Sequence, residues 1–362
     1  FSGVWIMAYT TVDNPLEYFN TILYTGNAAD GSSTTQDISG VGFQPDWVWL
    51  KSRDTANNHV VDDSVRGANK HLFPDLTNVE NTSTNYLKSF ASDGFQLGPD
   101  GAINGNGDTY VAWNWKAGTS FSNSSGSNGA NLDSSGSVST TAGFSIVSFT
   151  GNRSTTRNIY HGLGAVPKMI IFKNRSATNG WTIYNEAIGN ANKLTLNNTS
   201  AAGSCSACFA STDPTSTLFS VGDDGDTNGT SEKMIAYCFS EVKGYSRISN
   251  YSGNNSTNGP VVYCGFKPAW IMIKNTEAAE QWRVYDNKRD PFNHMFRCVF
   301  PNANNGDNTT DNESEEIDFL ATGFKIRSDA QQLNGNGQKL IYMAFAEAPL
   351  VTGASAIPTT AR

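Results

Sequence analysis

The segments YVAWNWK (110–116), MIAYCFS (234–240) and LIYMAFA (340–346) decide the fold. In each, large residues recur at every second position: Val111, Trp113 and Trp115, then Ile235, Tyr237 and Phe239, then Ile341, Met343 and Phe345. Successive side chains of a strand point to opposite faces, so a period of two marks a strand with one face turned to a core. The opposite face carries Asn114, Cys238 and Ala344, all small, which makes Cys238 a packing residue.

The same signals surround each segment in the same order. Upstream lie an aromatic strand and a turn, LYTGN (23–27), SFTGN (148–152) and NYSGN (250–254). Next come GFQPDWVWLK (42–51), GLGAVPKMIIFK (162–173) and GFKPAWIMIK (265–274), each ending in Lys, then HVVDD (59–63), WTIYN (181–185) and WRVYD (282–286). A Gly-Phe strand follows in the first and third copies, DGFQL (93–97) and TGFKI (322–326), with TLFSV (217–221) as its counterpart, and Asn-Gly steps at 104, 228 and 334 precede the closing segments. Ordered marks returning after roughly a hundred residues identify an internal repeat. The apolar runs have strand length and are bounded by Gly, Pro, Asn and Asp. Residues 47–50 and 169–172 are apolar on both faces, as covered strands are, and the Asn-Gly steps suit tight hairpin turns.

The expectation is an all-β chain of three tandem antiparallel β-sandwich, jelly-roll-like domains, each with its own core. The boundaries are a lead-in over 1–17, repeats over 18–118, 141–247 and 248–350, a Gly/Ser/Asn-rich linker over 119–140 and a tail over 351–362. The linker composition predicts a loose tether for the first domain. A single short turn is expected between Pro15 and Asn20.

Composition excludes several classes. The formal charge is -8, and no Lys/Arg cluster offers phosphates a partner, so no nucleic acid is expected. No apolar run reaches the length of a membrane span, so no insertion is expected. Five cysteines are no disulfide framework. Cys205-x-x-Cys208 resembles half a zinc or redox motif without a second half, so small packing residues are the favoured reading.

Candidate chemistry is sparse. His59, His71, His161 and His294 lack sequence partners at ligand spacing, and no nucleophile elbow or phosphate loop is present. The paired acids Asp62/Asp63 and Glu315/Glu316 read as solvated edges. No catalytic residue, and no cofactor, is expected. The one metal-like string is Asp224-Gly225-Asp226-Thr227-Asn228-Gly229, where Asp224, Asp226 and Asn228 match the start of a calcium loop. The acid due at its twelfth position is Ile235, so an acidic hairpin turn is the favoured alternative to calcium. Trp47, Trp181, Trp270 and Trp282 are candidate glycan platforms, although their recurrence favours packing. Recognition is expected in the middle of each copy, at 70–86, 199–217 and 301–316.

NTILYTGN (20–27), VGFQPDWVWLKSRD (41–54), DDSVRG (62–67), SDGFQLG (92–98) and YVAWNWKAG (110–118) together resemble a domain of unknown function found in tail-fibre-like and other virion structural proteins of marine tailed bacteriophages. TAGFSIVSFTG (141–151), HGLGAVPKMIIFKNR (161–175), KMIAYCFSEVKGYS (233–246), GFKPAWIMIKN (265–275), YDNKRDP (285–291), IYMAFAE (341–347) and the ending IPTTAR (357–362) are similar to later parts of such proteins. The resemblance implies a non-enzymatic virion component on the outside of the particle, most simply a tail fibre or receptor-binding part. Its implied partners are further copies of itself, with a trimer favoured, other virion proteins, and a host-surface glycan or envelope protein. A decoration or spacer protein such as a head fibre is the alternative, and a polysaccharide-degrading spike a weaker one.

Overall fold

The computed structural model describes residues 9–29, 31–308 and 313–351. Its regular structure is almost entirely antiparallel strand. One sheet orders its strands Phe19–Thr25, Thr109–Trp115, Trp47–Ser52 and Val60–Asp63. The same order returns in Phe144–Thr150, Lys233–Phe239, Met169–Asn174 and Trp181–Asn185, and again in Ser246–Ser252, Lys339–Pro349, Phe266–Asn275 and Arg283–Asp286. The closing strand sits inside each time, so Trp47 lies opposite Trp115, Met169 opposite Phe239 and Trp270 opposite Phe345. Both faces of these strands are buried, which explains their continuous apolar runs.

The period-two aromatics are buried, but not in three separate sandwich interiors. The face bearing Trp113, Tyr237 and Met343 in the three sheets points into one common core. There Trp47 stacks on Tyr237 at 4.8 Å, Trp115 meets Trp270 edge-on at 5.6 Å, and Phe239 meets Phe345 at 6.1 Å. The other faces enter three separate clusters, around Ala112, Cys238 and Ala344. Each is roofed by a small outer sheet: Gln36–Ser39 with Gly94–Leu97 and Leu87–Ala91, Arg157–Tyr160 with Leu218–Val221, and Val261–Tyr263 with Gly323–Ile326 and Ile317–Leu320. Periodicity reveals that a face is buried and is silent on what covers it.

Residues 119–140 are no tether. Thr119–Asn123 pairs with Ser134–Ser139, which pairs with Phe144–Thr150, so the segment extends the second sheet. The composition argument weighs side-chain burial, but here the backbone bonds to a ready edge. A single ring, Phe121, lies over Gly136, where an added Cβ would come within 2.7 Å of it. Nor are the Asn-Gly steps hairpin turns. Each ends a one-turn helix, Gly101–Asn104, Gly225–Asn228 and Gln331–Asn334. The expected early turn is a 3-10 helix over Pro15–Glu17, and IPTTAR lies outside the described residues.

Candidate functional site

The helix-ending asparagines clamp each copy shut. Asn104 Oδ1 accepts from Asn27 N at 2.9 Å, Asn228 Oδ1 from Asn152 N at 2.9 Å, and Asn334 Oδ1 from Asn254 N at 2.7 Å. Their amides donate to Gly98 O, Gly222 O and Ser328 O at 2.9, 2.8 and 2.8 Å. All three are fully buried, where an unpaired amide would be costly. The glycines of the opening turns make the approach possible: a Cβ at Gly26, Gly151 or Gly253 would fall 2.2, 2.4 or 2.3 Å from a backbone oxygen.

This clamp accounts for the calcium-like string. Asn228 is committed to it, Asp224 caps its own helix by accepting from Asp226 N at 2.9 Å, and Asp226 pairs with Lys193 at 2.8 Å and Asn179 at 2.6 Å. The Lys193 and Asn179 contacts outweigh burial and hold the Asp226 carboxyl below its ordinary value. The three oxygens thus have separate structural partners. Cys205 and Cys208, expected as independent small residues, form a disulfide beside Asp224. It pins Cys208 and Phe209 into the outer core where the first and third copies have a third outer strand.

Several polar groups of the recurring segments lie at the joints between sheets. Asp62 and Asp63 are fully buried, not a solvated edge, and Glu315 is buried against Arg283. Asp63 pairs with Arg66 and accepts from Tyr237 Oη of the second sheet at 2.7 Å. In the same place Asp286 pairs with Arg289 and accepts from Trp113 Nε1 of the first sheet at 3.0 Å. Arg175 reaches Glu80 from the second sheet, and Arg53 reaches Asp307 from the first, at 2.7 and 2.8 Å. At the third joint Asn185 and Met343 occupy the corresponding positions, and the Asn185 amide nitrogen has no hydrogen-bond partner among the described residues.

The ring nitrogens continue this cyclic pattern. Trp181 donates to Phe73 O at 2.9 Å, Trp282 to Thr195 O at 3.0 Å, and His59 Nε2 meets Phe300 O at 3.0 Å while its Nδ1 accepts from Trp49. Burial holds His59 neutral, well below its ordinary pKa. The recurring lysines are caged by carbonyls: Lys51 by Ser52 and Thr55, Lys173 by Asn174, Asn179 and Thr77, Lys274 by Thr199, Ala278 and Glu280. Burial lowers each to about 8. Of the other histidines, His71 joins buried Asp62 and Ser83 O, His161 is lowered by burial to about 4, and His294 meets Asp318 at 2.7 Å.

The three loops expected to carry recognition therefore help cement the joints. Phe73, Thr77 and Glu80 from 70–86, Thr199 and Ala202 from 199–217, and Asp307 from 301–316 all bond to a neighbouring sheet. The tryptophans proposed as platforms are buried as well.

What remains open lies elsewhere. A groove of about 710 Å³ runs along the 119–140 segment, lined by Ser122, Asn131, Asp133, Ser148 and Thr150, and one of about 600 Å³ borders Tyr86 and Asp100. A third, of about 590 Å³, lies where Glu241–Arg247 crosses from the second sheet to the third and joins a ring pair, Tyr9 and Tyr263, to Lys243, Arg247 and Glu241. Tyr9 Oη donates to Gly265 O at 2.6 Å, and Lys243 Nζ stands 4.6 Å over its ring. Burial and the neighbouring Tyr263 hydroxyl raise Tyr9 to about 12. Apolar rings beside charged groups at the mouth of a cleft form a binding geometry. No signal in the sequence pairs Tyr9 with Tyr263, which are brought together only by the fold.

An all-β protein with polar joints and a ring-lined cleft is the class these features define. The chain belongs to a family known as a domain of unknown function, DUF7483, whose pattern it matches in one span over residues 14–349. Among curated proteins and among solved structures, none matches.

Proposed function

We propose that this chain is a bacteriophage virion component, a tail-fibre or receptor-binding part that holds a host-surface glycan or envelope protein without altering it. It comprises three tandem β-sandwich units closed around one core. The observation that carries the reading is the employment of the recurring polar groups: the lysines are caged by carbonyls, the clamp asparagines close each copy, and the two Asp–Arg pairs receive bonds from a neighbouring sheet. A body built this way is stiff and presents surfaces rather than reacting groups. The sequence resemblance supplies the particle and its external location. One chain already closes a three-sided core, so the proposed homotrimer would assemble through outer surfaces.

The test is mass spectrometry of purified particles together with antibody-gold imaging. Absence of the chain from particles rejects the proposal. The occupation of the variable loops at the joints favours the second reading, a spacer or decoration protein. Competition of particle adsorption by the free chain separates the two, since a spacer leaves adsorption unchanged.

A further inference from the structure

The Val261–Tyr263 strand is an edge of its outer sheet, and Tyr263 is 61% exposed there. The matching position in the second copy is Tyr160, whose ring is covered edge-on by Phe121 at 5.6 Å. In the first copy it is Ser39, a residue with no ring to cover. Tyr263 thus has the ring of Tyr160 without its cover. We propose that the Tyr9–Tyr263 cleft binds a carboxylate-bearing saccharide whose apolar face stacks on Tyr263.

The charges select the ligand class. Glu241 accepts from Ile248 N at 2.9 Å and from Arg247 at 3.4 Å, so that pair is largely self-neutralised. Lys243 is exposed and meets no carboxylate among the described residues. One unpaired cation therefore faces the cleft on a chain of net charge -8, which otherwise repels polyanions. A neutral sugar uses the ring alone, whereas a uronate uses the ring and the ammonium together.

The walls are fixed. Gly244 and Gly265 have φ of +79° and +82°, and a Cβ at Gly265 would lie 2.8 Å from Tyr9 Oη, so Tyr9 is seated against backbone. Beyond Tyr9 the cleft continues into a hollow of about 390 Å³ bordered by the exposed Thr11, Thr140 and Thr141, whose hydroxyls suit a second sugar residue. The dimensions fall within the range of small-ligand sites.

This inference rests on the attachment reading only for the biological source of the saccharide. The experiment is calorimetric titration of the whole chain with trigalacturonate and, separately, with maltotriose. Trigalacturonate should bind at least about tenfold more tightly, the equivalent of about 1.4 kcal/mol. Tyr263→Ala should weaken trigalacturonate binding about tenfold or more, and Lys243→Gln should abolish the preference over maltotriose. Lys88→Gln, on the first outer sheet, should change neither. Both key side chains are exposed, so a thermal melt should verify that the variants are folded. Absence of trigalacturonate binding, equal affinity for the two sugars, or indifference to Tyr263→Ala overturns the proposal. Uronate binding by a chain absent from particles would sink the attachment reading alone; a particle-borne chain that ignores uronate would sink this inference alone.

Discussion

Tyr237→Phe isolates one joint between sheets. The hydroxyl donates to Asp63 Oδ2 at 2.7 Å in a fully buried setting, and Asp63 keeps its bonds from the Arg66 backbone N, at 2.8 Å, and from the guanidinium. The phenylalanine ring still stacks on Trp47, so no cavity opens. What is lost is one hydrogen bond to a charged acceptor, worth about 1.5–3 kcal/mol. Unfolding entropy of ~2.1 cal/mol/K per residue, over 362 residues, gives ~0.8 kcal/mol per degree, so the melting temperature should fall by about 2–4 °C. Differential scanning calorimetry at pH 7 measures it. Phe239→Ala, which does open a cavity in the shared core, should cost about 3–5 kcal/mol. Met343→Leu, at the uncharged joint, should cost under ~1.5 kcal/mol. A change below about half a degree for Tyr237→Phe would refute the idea that this hydroxyl links the two sheets.

Other outcomes follow from the clamps, cages and disulfide. Gly151→Ala drives a Cβ to 2.4 Å from the Gly229 carbonyl oxygen and should lower stability by more than about 3 kcal/mol, seen as lost soluble yield or a much lower melt. The three caged lysines bind protons less readily folded than unfolded, so stability should rise with pH from about 8 toward 10, where both states approach neutrality. Each lysine contributes at most about 1.4 kcal/mol per pH unit, and urea titrations of wild type and Lys173→Met should show a shallower rise in the variant. Reduction of Cys205–Cys208 removes a small closed ring worth about 2 kcal/mol, so dithiothreitol should open residues 199–217 to limited proteolysis before the sheets.

The strands were legible because their signal is local. Val111, Trp113 and Trp115 announce a strand by spacing alone, and the marks around them recur in order. What covered them was not legible, since Trp47 against Tyr237 is a contact between distant segments with no shared pattern. Asp62 and Asp63 misled for a related reason: adjacent acids signal solvent unless a buried arginine such as Arg66 is known to face them. The Gly/Ser segment at 119–140 misled because a backbone that pairs with an existing sheet edge needs few apolar side chains. The clamp asparagines were visible as Asn-Gly steps, but the hydrogen bonds their side-chain oxygens accept from backbone N–H groups are formed across about eighty residues.

The three-fold pattern sorts structural need from local purpose. A group that the sheets require should return at every copy, as Lys51, Lys173 and Lys274 do, or be replaced by a compensating set, as Met343 and Asn185 stand where Trp113 and Asp286 stand elsewhere. A group serving one surface has no such reason to recur. The features that break the pattern are the paired strands of 119–140, the disulfide loop and the Tyr9–Tyr263 cleft. The first two have packing duties, since Phe121 covers Tyr160 and Cys208 fills an outer core. Tyr263 and Lys243 fill no core: one is exposed on a sheet edge with its hydroxyl beside that of Tyr9, and the other stands over the ring of Tyr9. Removing either should therefore leave the free energy of unfolding within about 0.5 kcal/mol of wild type, as for ordinary surface positions. A large loss of stability on Tyr263→Ala would show that this ring belongs to the scaffold, and the case for a ligand there would fall with it.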